Sequence, residues 1–298
     1  MEIMKSTSGQ KNPNMFKKQS QTKEIWRRFK KSKGAVIGLF MLAIIVVILI
    51  SADFIAPYDL ATKQHLVDKL QPPSAAHLLG TDSYGRDVFA RVVHGGRTSL
   101  TIALLATMSS CVLGSALGAV AGYFGGKVDS LIMRSLDIFM SIPDILFTMA
   151  VVFALGPNFV NLLIALTLAY FTNYVRLVRS QVLNLAEQDY VEAARAGGSG
   201  SARIIISHIL PNAMGVIIVN TTLNVAKIIL YESTLSFLGL GMPPPAPEWG
   251  LMLSDAREFM RNDPYLMFFP ALAIVLTACS INLIGDGLRD ALDPHLKS

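Results

Sequence analysis

Charge is scarce in this sequence. Only 16% of its 298 residues are Asp, Glu, Lys or Arg, while 52% are hydrophobic and the mean hydropathy is +0.47. A soluble domain carries roughly a quarter of its residues as charges, so the shortfall excludes an ordinary water-soluble fold. Cysteine is almost missing as well. Cys111 and Cys279 both sit inside apolar runs, which excludes a disulfide framework and a cysteine zinc site. The five histidines (His65, His77, His94, His208, His295) are scattered and show no metal-ligand spacing. No Gly-Lys-Ser/Thr follows Gly198-Ser199-Gly200, so no Walker-type phosphate loop is present, and no H-x-x-x-H or nucleophile–base spacing appears.

Long uncharged runs are what the sequence does have. Residues 34–52, 98–126 and 264–285 contain no Asp, Glu, Lys or Arg. About 20 such residues rising ~1.5 Å each cross a hydrocarbon core of ~30 Å. The net charge of +5 is concentrated at one end: residues 1–33 hold ten Lys or Arg against Glu2 and Glu24. A basic flank before a first apolar helix places the N-terminus in the cytoplasm. It favours anionic lipid headgroups over nucleic acid as its neighbour. No small-x-small cleavage site follows, so the first helix is expected to stay uncleaved.

The expected fold class is an all-α integral membrane protein with six transmembrane helices. The first covers 34–52, and an extracytoplasmic segment, 53–97, contains a short helix through 88–93 capped by Thr81 or Asp82. The second covers 98–123. The third runs from near Ile132 to Leu155, kinked at Pro143, with Arg134 and Asp137 paired. The fourth covers 159–175, and a cytoplasmic segment follows at 180–211. Helices at 213–238 and 264–286 return both ends to the cytoplasm, with 98–292 as the core and 293–298 as a tail.

The informative stretch runs from Asp189 to Asn212. Glu192-Ala193-Ala194-Arg195-Ala196 favours a short helix. Gly197, Gly198 and Gly200 end it, and Pro211 stands where the fifth transmembrane helix starts. The result is a helix–glycine–helix knuckle whose small residues let another protein approach closely. Glu192-Ala193-Ala194, then Gly198, then Leu210-Pro211 resembles the coupling loop of ABC importer inner-membrane permeases. His208, Gly197 and Gly200 depart from that pattern without disturbing its register. Residues 79–87, 141–143, 235–241, 247–250 and 285–294 extend the resemblance to the dipeptide, oligopeptide and nickel permease group, and within it to the second permease.

The resemblance implies that the helices from the second to the sixth form the shared permease core, with the first added at its edge. It implies a non-catalytic subunit of a bacterial cytoplasmic membrane importer that carries no cofactor. Its partners would be a homologous permease, two cytoplasmic ATPases that bind ATP and Mg, and an extracytoplasmic substrate-binding protein, all assembled at the lipid bilayer without nucleic acid. Oligopeptides or dipeptides are the expected cargo, with nickel or glutathione as the alternative. Glu192, Ala193, Ala194, Gly198, Leu210 and Pro211 are the expected ATPase-coupling residues. Asn224, Lys227 and Glu232, polar groups in an apolar helix, are candidates for a pathway or a subunit interface. Pro243-Pro244-Pro245 beside Trp249 suggests a rigid outer loop, and Trp249 and Tyr265 are candidate interface anchors. A membrane-embedded enzyme using Asp137, Asp144 and Glu232, or a channel without an ATPase, leaves the Glu-Ala-Ala spacing unexplained.

Overall fold

The computed structural model describes residues 21–292. The basic tail before residue 21 and the tail at 293–298 lie outside the described residues. In chain order the helices are α1 (Gln21–Phe29), α2 (Lys33–Ile50), α3 (Ala52–Ile55), α4 (Tyr58–Thr62), α5 (Val88–Phe124), α6 (Gly126–Met140), α7 (Asp144–Leu155) and α8 (Phe159–Ala186). Then come α9 (Asp189–Ala196), α10 (Ser201–Ile204), a π-helical turn (Ile205–Ile209), α11 (Leu210–Phe237), α12 (Trp249–Ala256) and α13 (Tyr265–Leu292). Among the described residues the only sheet-like pairing is an isolated bridge between Thr81 and Asp87.

Among the described residues, five helical stretches are long and apolar enough to cross a bilayer: α2, α5, α8, the run Ser201–Phe237, and α13. The sixth expected crossing corresponds to α6 and α7, which meet the same length and composition test only as a pair and are bent by 81° at their junction, the geometry of a broken span or a re-entrant loop. Sequence reasoning expects a kink there. Pro143 has no N–H to donate and its ring excludes the preceding turn, so the helix breaks outright across Ser141-Ile142-Pro143 and restarts at Asp144.

Two boundaries differ most from the sequence expectation. The second crossing begins at Val88, ten residues before the uncharged run, because Asp87 rather than Thr81 or Asp82 is its N-cap and accepts from the Ala90 N–H at 2.9 Å. Its first turns keep Arg91 and His94 because both find partners, Arg91 Nη1 donating to the Ala61 carbonyl at 3.3 Å and His94 Nε2 lying 2.8 Å from the Ala56 carbonyl. The fourth crossing continues through Arg176 and Arg179 to Ala186, since those guanidiniums find Asp137 (2.8 Å) and Asp129 (2.6 Å) on α6. The expected Arg134–Asp137 pair therefore does not form: Asp137 turns to Arg176 instead.

The central packing joins α5 to α8. Gly114, Gly118 and Gly122 line one stripe of α5, and a Cβ on each would stand 2.6, 2.5 and 2.9 Å from the carbonyl oxygens of Phe171, Val175 and Arg179. The two backbones are thus in direct contact, the small-x-x-x-small arrangement by which helices associate in lipid. Around this seam Ile102, Leu162, Leu166, Ile228, Ile229 and Leu235 form the main buried cluster. The first span, α2, packs on α13 at the edge of this bundle.

Candidate functional site

The knuckle at 189–212 is built by its glycines. Helix α9 ends at Gly197, which keeps an ordinary φ of −73°. The chain reverses at Gly198, where φ is +81°. The Gly198 N–H donates to the Arg195 carbonyl at 3.0 Å and the Ser199 N–H to the Ala194 carbonyl at 3.1 Å. These two bonds complete a Schellman cap, which needs a left-handed residue where Gly198 stands. After α10 the helix widens into the π-turn: the Leu210 N–H reaches back five residues to the Ile205 carbonyl, and Pro211 follows with no N–H to offer.

One side of this knuckle is embedded and the other is bare. Val191, Ile204 and Ile209 are wholly buried and Ile205 nearly so, in one cluster with Ala119 of α5, Val178 and Val182 of α8, and Ala213 and Ile217 of α11. Leu210 packs against the same cluster. Arg195 lies over the Tyr123 ring, 5.6 Å from its centroid. Glu192, Ala193, Gly198 and Pro211 face outward, and Ala194 is half-buried between the two sides. The six residues singled out in the sequence are therefore brought into one feature. Its exposed side carries the small residues Ala193, Ala196, Gly197, Gly198 and Gly200 alongside Glu192, Arg195, Arg203 and Ile206, and its underside is packed against three long helices.

A second feature is a polar stripe on α11. Asn220, Asn224, Lys227, Tyr231 and Thr234 are spaced four, three, four and three residues apart and so share one face. Lys227 and Thr234 are exposed, and Asn220, Asn224 and Tyr231 are half-buried. A face this polar is costly against lipid.

Residues 114–298 match the family described as "Binding-protein-dependent transport system inner membrane component", and residues 20–73 match the "N-terminal TM domain of oligopeptide transport permease C". The chain belongs to this permease family. It is 43% identical to the dipeptide transport system permease protein DppC of Alkalihalophilus pseudofirmus over 94% of this chain and 91% of the relative. It is 42% identical to the di/tripeptide permease protein DppC of Pseudomonas aeruginosa (94% of each chain). It is also 42% identical to the glutathione permease protein GsiD of Pectobacterium atrosepticum (93% and 92%). Among solved structures, an inward-facing form of the MetNI methionine ABC transporter shares the fold, with a TM-score of 0.55 at 20% identity over 68% of this chain and 96% of that one.

For a multi-pass permease the third candidate residue, Glu232, needs correction. Its side chain has no exposed surface, so it lines neither an open face nor a subunit interface. It turns into the chain's own core, where Ser233 Oγ approaches its carboxyl at 3.4 Å and the Glu248 carboxyl meets it. Glu248 is equally buried and is the N-cap of α12, accepting from the Gly250 and Leu251 N–H groups at 2.6 and 3.2 Å. Burial pushes the Glu248 carboxyl above its ordinary pKa. Asp137 pairs with Arg176 on α8, and Asp144 opens α7, so these acids do not converge with Glu232 on a reaction centre.

The end of the bundle opposite the knuckle is tied by a buried ion network that the sequence reading missed. Arg86 Nε donates to Asp82 at 2.7 Å and its Nη2 to Asp255 at 3.3 Å. Arg91 lies 3.4 Å from Asp82 and 3.6 Å from Asp255. Asp82 caps a turn rather than a helix, taking the Tyr84 and Arg86 N–H groups at 2.9 Å each. Burial raises the Asp255 pKa, and the two guanidiniums oppose it. Trp249 is not an interface anchor: it is buried and its indole N–H donates to the Val92 carbonyl at 2.8 Å. Tyr265 likewise reaches inward, its hydroxyl bonding the Gln71 and Thr81 carbonyls at 3.0 and 3.1 Å. Together these contacts tie residues 71–92 to α12 and to the start of α13. The spacing Asp82-x-x-x-Arg86 was legible, but its partner Asp255 lies 169 positions away.

Proposed function

We propose that this chain is one of two permease subunits of an ATP-driven, binding-protein-dependent importer of short peptides in a bacterial cytoplasmic membrane. A homologous permease, two cytoplasmic ATPases holding ATP and Mg, and an extracytoplasmic substrate-binding protein complete the assembly. The chain itself contributes motion rather than catalysis. The knuckle faces the cytoplasm, as do both termini. The reading rests on one observation: an exposed helix–glycine–helix knuckle is packed from beneath onto α5, α8 and α11 by Val191, Ile204, Ile205 and Ile209.

A feature held this way cannot move alone. When an ATPase groove displaces the ridge, the buried side chains carry α5, α8 and α11 with it, because a packed cluster transmits displacement rather than absorbing it. ATP then biases access to either side only through its different affinity for the two arrangements. The stripe at Asn220, Asn224 and Lys227 suits the path that these arrangements alternately open. Peptide cargo is favoured because the dipeptide, di/tripeptide and glutathione relatives all carry peptides by name. Finer selection falls to the separate binding protein.

Uptake of a radiolabelled dipeptide into proteoliposomes containing the whole assembly tests the reading. Glu192→Lys or Gly198→Trp should abolish uptake while the permease still inserts and assembles. Full uptake by both variants would contradict the coupling role.

A further inference from the structure

At the knuckle end of the bundle, α8, α11 and α13 leave between them a cavity of about 640 Å³. Its polar lining is three carboxamides, Gln181, Asn212 and Asn220, and one guanidinium, Arg289. Leu223 and Leu292 are among its apolar walls. Arg289 forms no ion pair among the described residues; it is exposed at the mouth of the cavity, as are its acidic neighbours Asp286 and Asp290, which do not line it. The polar stripe of α11 leads into it, since Asn220 belongs to both.

The cavity is also joined to the coupling feature. Asn212 follows Pro211 directly, its side-chain amide donating to the His208 carbonyl at 2.6 Å and approaching the Tyr190 hydroxyl of α9 at 3.4 Å. One wall therefore belongs to the segment that contacts the ATPase in the reading above, on which this inference rests.

We infer that this cavity is an exit-side subsite that holds the C-terminal carboxylate of a short peptide on Arg289. The chemistry of the lining selects that ligand. A guanidinium offers two parallel N–H donors that match a carboxylate, and it stays charged at every relevant pH. The amide NH2 groups of Asn212 and Asn220 already donate to the His208 and Val216 carbonyls at 2.6 and 3.1 Å, so these two side chains offer chiefly their carbonyl oxygens, which accept from a peptide N–H without demanding a particular sequence. The leucines accept an apolar side chain of any shape. The volume exceeds that of a dipeptide and lies within the range of small-molecule sites. A ligand held here would leave when the wall carrying Asn212 moves with the knuckle.

The test uses the complete wild-type assembly in nanodiscs, nucleotide-free and without binding protein. The probe is the photoreactive dipeptide alanyl-p-benzoylphenylalanine, either as the free acid or as its C-terminal amide. The free acid should label residues 212–223 or 289–292, and the amide should label them about tenfold less, as expected for loss of a charge-assisted pair. Arg289→Gln should bring free-acid labelling down to the amide level, and Arg289→Lys should fall between. Equal labelling by acid and amide in the wild type, or labelling confined to other residues, would overturn the inference without needing any variant. Dipeptide-stimulated ATPase activity of the same preparation, with binding protein restored, separates the two failures. If stimulation is present with amide-insensitive labelling, the subsite alone is wrong. If stimulation is absent, the importer reading falls and the subsite with it.

Discussion

Two adjacent glycines should respond in opposite directions to the same methyl group. Gly198 sits at φ +81° with nothing within 4 Å of where a Cβ would be. A Gly198→Ala change therefore meets no neighbour, and its whole cost is the left-handed backbone, about 1–2 kcal/mol. Gly197 sits at φ −73°, and its Cβ would touch the Ala193 carbonyl oxygen at an ordinary 3.4 Å. Gly197→Ala should then stabilise the α9 cap by about 0.4–1 kcal/mol, through lost freedom of the unfolded segment. At 1.36 kcal/mol per decade these become local opening about 5- to 30-fold more frequent for the first variant and about 2- to 5-fold rarer for the second. Amide hydrogen exchange across 189–203 in nanodiscs reads both, through the Ser199 N–H bonded to Ala194 and the Gly198 N–H bonded to Arg195. Changes of the same sign in the two variants, or no change at Gly198→Ala, would refute the Schellman cap as what shapes the knuckle.

Other expectations follow from the packing and the buried charges. Gly118→Leu should prevent accumulation of folded permease, seen as loss of the monodisperse peak in detergent, because even a Cβ would lie 2.5 Å from the Val175 carbonyl; Gly200→Ala, with open space around it, should be silent. Asp82→Asn strips a partner from both Arg86 and Arg91 and should cost about 3 kcal/mol or more, measured as a lower unfolding midpoint. For Glu248 the folded pKa lies above the ordinary 4.5, so its stabilising contribution is complete below that pH and is lost as pH rises through the folded value. Glu248→Gln should remove that decline, and the difference between wild-type and variant unfolding temperatures, followed from pH 4 upward, checks it.

Much of the architecture was readable from residue order because lipid imposes a strong rule: an apolar run either crosses or must be hidden. The run at 34–52 became α2 almost unchanged, and the run at 264–285 became the body of α13, which continues through Asp286, Arg289 and Asp290 to Leu292. The polar ends of α5 and α8 were not readable, since Arg91, Arg176 and Arg179 look like boundaries until their carboxylate partners are known. Arg176 and Arg179 meet acids 39 and 50 positions away. The stripe Gly114, Gly118, Gly122 was present in the sequence as a four-residue repeat of small residues, yet the helix it faces is not encoded locally. For the knuckle, the glycine at 198 and the proline at 211 marked the turn and the restart. Its burial pattern, with Val191 under and Glu192 over, needed the three helices below it. Glu232 misled because an acid in an apolar helix suggests a pathway, whereas the Glu248 carboxyl that shares its pocket arrives from the far side of a proline-rich loop.

The central claim is that the ridge carrying Glu192, Ala193 and Gly198 lies against an ATP-hydrolysing partner inside the cell. A single cysteine at Ala193, in a chain with Cys111 and Cys279 replaced by alanine, offers the most direct measurement: site-specific cross-linking within the purified, transport-competent assembly. The account predicts a cross-link to one ATPase subunit that strengthens or weakens with ATP, and protection from membrane-impermeant thiol reagents added outside intact cells. Labelling from outside, or a cross-link only to the extracytoplasmic binding protein, would contradict it.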